Sequence, residues 1–176
     1  LRVSEPFQIY IDDVLKDEDG CAIVKVYHPE EGFAPCVDAN RKPETRASFL
    51  AKKFGLLPRN NDANPKNYYA GWKNPALHVG NFFYVNWFPR SAGIEFYKLF
   101  KVYIENVRIR QTTEINSKGA MVLKEKANHP FVFVNRDGAP KSYYKYVEQF
   151  SRAVERIGLT PRKDLGTTPH GCRHYY

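Results

Sequence analysis

His170, Arg173 and His174, in the string Thr168-Pro169-His170-Gly171-Cys172-Arg173-His174, are residues whose types and spacing suit chemistry on an anion. Thr168 is a good helix N-cap, and Pro169 suits the first helical position, where a missing N–H costs nothing. A helix opening there places His170, Arg173 and His174 at i, i+3 and i+4, on one face. The arginine offers a planar fork matched to phosphate oxygens, and the imidazoles add donors that also move protons. The helix N-terminus contributes its positive end. Phosphate is the natural ligand for such a face. A solvated basic helix end has the same composition, so the motif gains meaning only with a second feature elsewhere in the chain.

That second feature lies at the other end. Leu1-Arg2-Val3-Ser4-Glu5, followed by the apolar Phe7 and Ile9 and then Asp13-Val14, resembles the first box of the tyrosine recombinases, or phage integrases. His170-Gly171-Cys172-Arg173-His174 resembles their second box, His-x-x-Arg-His, and the two boxes occur in the family's order. The resemblance spans residues 1–176 as a single catalytic-domain piece, with box one at 1–5, an insertion at about 33–80 and box two at 170–174. It implies an α+β, mainly helical fold with a small antiparallel β-sheet, truncated at its C-terminus. It also implies DNA integration by site-specific recombination through a 3′-phosphotyrosyl intermediate. The implied partner is double-stranded DNA, bound by a homo-oligomer that is a tetramer on DNA, and no cofactor or metal is implied.

The same resemblance assigns roles residue by residue. Arg2 and Arg173 match the pair that clamps the non-bridging oxygens of the scissile phosphate. His170 matches the histidine that assists proton transfer, and His174 the second histidine after the arginine. Glu5 matches an acidic position that supports the first arginine. The family's general-acid lysine sits on a hairpin. Lys73, in Gly71-Trp72-Lys73-Asn74 before the third strand, is preferred for it over Lys25, which lies within the second strand. In the family the nucleophilic tyrosine follows box two by some tens of residues, so Tyr175 and Tyr176 are too close to be it. A piece ending here is expected to bind DNA weakly and cleave nothing by itself.

Two other classes stay open. A basic nucleic-acid-binding module without chemistry would not need Arg2 and Arg173 to meet. A metal-dependent nuclease would bring Asp12, Asp13 and histidines within reach of one cation, whereas the recombinase reading predicts an all-cation site.

The chain of 176 residues is 43% hydrophobic and 15% aromatic, enough for one real core. Its 27 Lys and Arg against 19 Asp and Glu give a formal charge of +8, which suits a polyanionic partner. The excess is spread through Lys52-Lys53, Arg108 to Arg110, Lys124 to Lys126 and Arg162-Lys163, as expected of a folded basic face rather than a tail. Three cysteines, far apart and without a C-x-x-C pair, argue against a disulfide framework and against a structural zinc site. No apolar run approaches the roughly 18 residues of a membrane span, so a cytoplasmic protein without a membrane partner is expected.

The elements that must position these residues follow from periodicity. Val3 to Tyr10 carries helix-compatible apolar positions, and Ala22 to Tyr27 reads as a strand. Pro43 to Phe54 reads as a short helix with Phe49, Leu50 and Phe54 inward, stopped by Gly55. The rest of the insertion reads as a long ordered loop, a candidate contact with DNA or a partner, or else a decoration. Asn81 to Phe88 reads as the next strand. Ala92 to Arg110 has a broad apolar face of Phe96, Leu99, Phe100, Tyr103, Ile104 and Val107. Phe131 to Val134 is a short buried segment closed by an Asp137-Gly138 turn. A second core helix runs through Tyr143, Val147, Phe150, Val154 and Ile157 to Gly158. Tyr144 and Tyr146 fall off its stripe, where they can face a ligand.

Overall fold

The computed structural model describes residues 2–35, 43–108, 111–115, 119, 121–125 and 128–171, the strands at 111–115 and 121–125 by their backbone. The class is α+β. Three strands, β1 (Val14–Lys16), β2 (Ala22–Tyr27) and β3 (Phe82–Tyr84), form an antiparallel sheet in the order β1-β2-β3, and β4 (Gln111–Ile115) pairs with β5 (Met121–Glu125) as a separate antiparallel ribbon. The described α-helices are α1 (Arg46–Phe54), α2 (Arg90–Tyr103) and α3 (Tyr143–Arg156). The helical share is smaller than expected, because 56–81 and 157–171 run largely without ladder or helix. No described helix is long and apolar enough to cross a membrane.

β2 lies where its β-branched residues place it, and it alternates. Ala22, Val24 and Val26 are buried while Ile23, Lys25 and Tyr27 are half-buried. The inward residues join Ile9, Val14 and Val132, with Trp72, Phe83, Trp87, Phe96 and Phe100 packed around them. Each fully buried valine contributes on the order of 2 kcal/mol by removal from water. β3 is shorter than its sequence run. Val85 still donates to the Val24 carbonyl at 3.0 Å, but the Trp87 indole turns inward to the Ala22 carbonyl at 2.7 Å and the chain leaves the sheet. The segment Val3 to Tyr10 holds a single 3-10 turn, Glu5–Gln8, rather than an α-helix, and a second 3-10 turn, Ile11–Asp13, follows Tyr10.

α1 forms as expected, capped by Thr45, whose hydroxyl accepts the Ser48 N–H at 3.3 Å, and closed by Gly55 in the left-handed region at φ 64°. Leu50 enters a second cluster with Tyr10 and Phe131, against which Phe49, Phe54, Leu56 and Tyr68 pack.

Two expected core helices are less buried than their periodicity promised. α2 becomes a π turn at Ile104–Arg108, so the 3.6-residue phase is lost beyond Tyr103 and Val107 stands exposed, and Leu99, within α2 itself, is exposed because no described segment covers it. The wider turn carries Arg108 under the neighbouring segment, where its guanidinium donates to the carbonyls of Phe131, at 3.0 Å, and His129. In α3 only Val154 of the expected stripe is buried, and Ile157 is 72% exposed, because the helix lies along the rim with Tyr146 set against Phe7.

The stretch at about 33–80 is tied into the core. Arg46, on α1, is buried between the rings of Tyr10 and Tyr27, with its guanidinium carbon 3.9 and 4.3 Å from their centroids. It pairs with the buried carboxylate of Asp13, which also accepts the Tyr10 N–H at 2.7 Å. Arg59, fully buried, donates to three carbonyls: Tyr68 at 2.8 Å, Phe7 at 2.8 Å and Lys141 at 2.7 Å. The Gln8 amide reaches the Ala70 carbonyl at 2.7 Å. Sequence spacing offers no signal for these long-range ties, since an arginine in a polar loop is ordinarily solvated.

His129 makes stability pH-dependent. Its Nε2 donates to the Gly138 carbonyl at 3.0 Å, while its buried Nδ1 meets no hydrogen-bonding group among the described residues. Burial pushes the imidazole down to about 4, helped by the positive charges of Arg108 and Arg59. The unfolded chain takes up a proton below about pH 6.5 and the folded chain does not, so this contribution is complete above 6.5 and is lost as pH falls toward 4. Urea midpoints are expected to drop over that window by the equivalent of about 3 kcal/mol, and His129→Gln is expected to flatten the drop. An unchanged slope in the variant would show that other groups cause it.

Candidate phosphate-binding site

A cavity of about 620 Å³ opens where three segments meet, and Arg2, Lys73 and His170 all line it. The first segment is the stretch before the 3-10 turn of Glu5–Gln8. There the Arg2 N–H donates to the Glu5 carboxylate at 2.6 Å, and the Glu5 N–H returns a bond to the Arg2 carbonyl at 3.0 Å. Glu5 is buried, so this reciprocal pair fixes the backbone from which Arg2 projects. Glu5, expected to support Arg2, meets the arginine's main chain.

The second segment is the strap Tyr69 to Lys73. The Arg2 guanidinium donates through Nη1 to the Lys73 carbonyl at 2.8 Å, so the arginine is oriented by the residue whose ammonium is the candidate acid. Lys73 lines the cavity. Lys25 instead lies over the rings of Phe82 and Tyr84, at 5.1 and 5.9 Å, on the sheet. The structure thus separates the two candidate lysines by place.

The third wall combines the start of α3 with the turn at 168–171. Ser142 caps α3 by accepting the Lys145 N–H at 3.1 Å, and it sets Tyr143 and Tyr144 at the cavity. Thr168 accepts the Gly171 N–H at 3.4 Å and His170 lines the cavity, while the helix expected to run on from Pro169 falls mostly outside the described residues. A side chain at Gly171 would meet the Gly166 carbonyl oxygen at 1.9 Å, so only glycine fits in this turn. Arg173 and His174, together with Tyr175 and Tyr176, lie outside the described residues.

Arg59 holds these walls in register. Its three carbonyl acceptors belong to Phe7, Tyr68 and Lys141, which lie close in sequence to the Arg2, Tyr69 and Tyr143 walls. Phe7, Tyr68 and Phe131 surround it, with ring centroids 5.7, 5.3 and 5.2 Å from the guanidinium carbon. Burial pushes its guanidinium down to about 10.

Positive groups and aromatic rings therefore share one concavity. The rings of Tyr69, Trp72, Tyr143 and Tyr144 were not selected as site residues by sequence reasoning, which treats tyrosines and tryptophans as core filler by default. Of the two off-stripe tyrosines of α3, Tyr144 lines the cavity. Tyr146 packs on Phe7 at 5.7 Å and Phe150 at 6.2 Å.

The metal-dependent alternative loses a ligand here, because the Asp13 carboxylate is committed to Arg46 and the Tyr10 N–H inside the core. Among the described residues no three His, Cys, Asp or Glu side chains come together as a metal-holding group. Comparison with protein-family models, curated proteins and solved structures finds no match to this chain.

Proposed function

We propose that the chain supplies the phosphate-activating part of a DNA strand-breaking and rejoining enzyme, a tyrosine recombinase of the integrase type belonging to a mobile element. One observation carries this reading: Arg2, Lys73 and His170, far apart in sequence, line one cavity. The basic balance of the whole chain accords with double-stranded DNA as partner.

In this mechanism a tyrosine oxygen attacks the scissile phosphorus, the bond to the 5′ oxygen breaks, and the departing oxygen takes a proton. Arg2, with Arg173, holds the non-bridging oxygens as negative charge builds on them. Lys73 donates the proton to the leaving oxygen, and His170 assists its transfer. His174 adds a second imidazole beside Arg173. Attack by the 5′ hydroxyl of a second strand on the phosphotyrosine reverses the step and joins new ends, so no external energy source is required. Two duplexes are exchanged by a tetramer. The test is mass mapping of the adduct formed on a nicked suicide duplex by a protein containing this chain and a tyrosine nucleophile. A tyrosine joined to a 3′ phosphate is expected, and cleavage that leaves no covalent adduct would exclude the mechanism.

Binding has its own signature. With about four phosphate contacts, affinity for duplex DNA is expected to fall roughly a hundredfold between about 50 and about 200 mM salt, with little dependence on sequence. Fluorescence anisotropy across that range measures it, and a flat salt response would contradict a phosphate-contacting surface.

A further inference from the structure

We infer that the cavity accepts an unpaired nucleobase beside the phosphate, so that the enzyme's preferred DNA is locally melted at the nucleotide it holds. The inference rests on the phosphate-binding reading of Arg2, Lys73 and His170 and deepens it. A phosphate group needs only a shallow cluster of donors, whereas about 620 Å³ lies within the size range of sites that enclose a whole small ligand. The walls beyond the cations are aromatic, and they are presented for contact. Tyr144 is 56% exposed although it stands on the first turn of a capped helix, with Tyr143 edge-on to it at 5.8 Å. Tyr69 and Trp72 face the same space from the strap that carries Lys73.

Cations that follow a backbone, with rings on which a base stacks, are the two components of sites for unpaired nucleic acid. A paired duplex cannot use these rings, because its bases are stacked inside the helix. A base turned out of the stack can use them, and it costs less to unstack where it is already mismatched or unpaired.

The experiment compares three short duplexes of one sequence: fully paired, carrying one extra unpaired thymine, and carrying an abasic residue at that place. Wild-type protein is expected to bind the unpaired-thymine duplex about tenfold more tightly than either of the others. Tyr144→Ala is expected to remove that preference while leaving affinity for the paired duplex unchanged, and Tyr144→Phe to keep it. Since Tyr144 is largely exposed, both variants are expected to melt at the wild-type temperature. Arg2→Ala is expected to weaken all three duplexes by a similar factor. Equal binding of the thymine and abasic duplexes by wild type, with Arg2→Ala weakening both, overturns the base site and leaves the phosphate reading standing. Unchanged binding of every duplex by Arg2→Ala overturns both.

Discussion

Replacing Arg59 by methionine is expected to destabilise the protein by about 3 to 5 kcal/mol, a large part of the roughly 5 to 15 kcal/mol that holds a domain folded. The carbonyls of Phe7, Tyr68 and Lys141 each receive a guanidinium N–H at 2.7 to 2.8 Å. Methionine keeps apolar contact with the surrounding rings but supplies no donor, and an unsatisfied buried carbonyl costs roughly 1 to 3 kcal/mol. Part of the loss is offset, because the wild type buries a cation whose guanidinium is held down to about 10 by desolvation. Arg59→Lys separates charge from geometry: an ammonium keeps the charge but does not reproduce the fork that spans three carbonyls, so an intermediate loss is expected. Urea unfolding of the three proteins measures it. A change below about 1 kcal/mol in the methionine variant would mean that the carbonyls find other donors.

The same substitution is expected to damage the cavity even where the chain still folds, since each of the three carbonyls belongs to a residue within a few positions of a cavity-lining one. This is where reading the sequence stopped short. The local elements were legible because local rules govern them: β2 from its run of β-branched residues, α1 from Thr45 and Gly55, and the turn at 135–138 from Asp137-Gly138, where Gly138 has φ 85°. The candidate site residues Arg2, Lys73 and His170 were legible through resemblance, and Thr168 through its capping chemistry. The buried arginines Arg46 and Arg59 were not legible. Their partners are main-chain carbonyls and one distant carboxylate, none of which leaves a periodic trace. The length of α2 and the burial of both α2 and α3 were misjudged for a related reason. An apolar stripe states what a helix can bury, while Ile157 and Leu99 are exposed because no described segment covers them. The aromatic cavity wall was hidden by the same default: Tyr144 and Tyr146 have equal claims in the sequence, and only packing on Phe7 separates them.

On the proposed function, Arg2→Lys in a protein containing this chain and a tyrosine nucleophile is expected to lower strand cleavage by roughly a hundred- to a thousandfold, or about 3 to 4 kcal/mol in the barrier, with only a small change in DNA affinity. Lysine retains the charge that attracts the duplex. It loses the arrangement in which Nη1 is held by the Lys73 carbonyl at 2.8 Å while the same rigid fork faces the cavity. An ammonium placed there must choose between that carbonyl and a phosphate oxygen, and it carries no second donor at fixed geometry to follow the oxygens as phosphorus becomes five-coordinate. Arg173→Lys is expected to act alike, since the two arginines share the developing charge in the proposed mechanism. The measurement is the rate of protein–DNA adduct formation on a nicked suicide duplex at equal occupancy. A fall in affinity that fully accounts for the lost adduct would reduce Arg2 to a binding residue. Adduct formation at the parental rate would remove Arg2 from the clamp, and the gathering of Arg2, Lys73 and His170 in one cavity would then need a different chemistry.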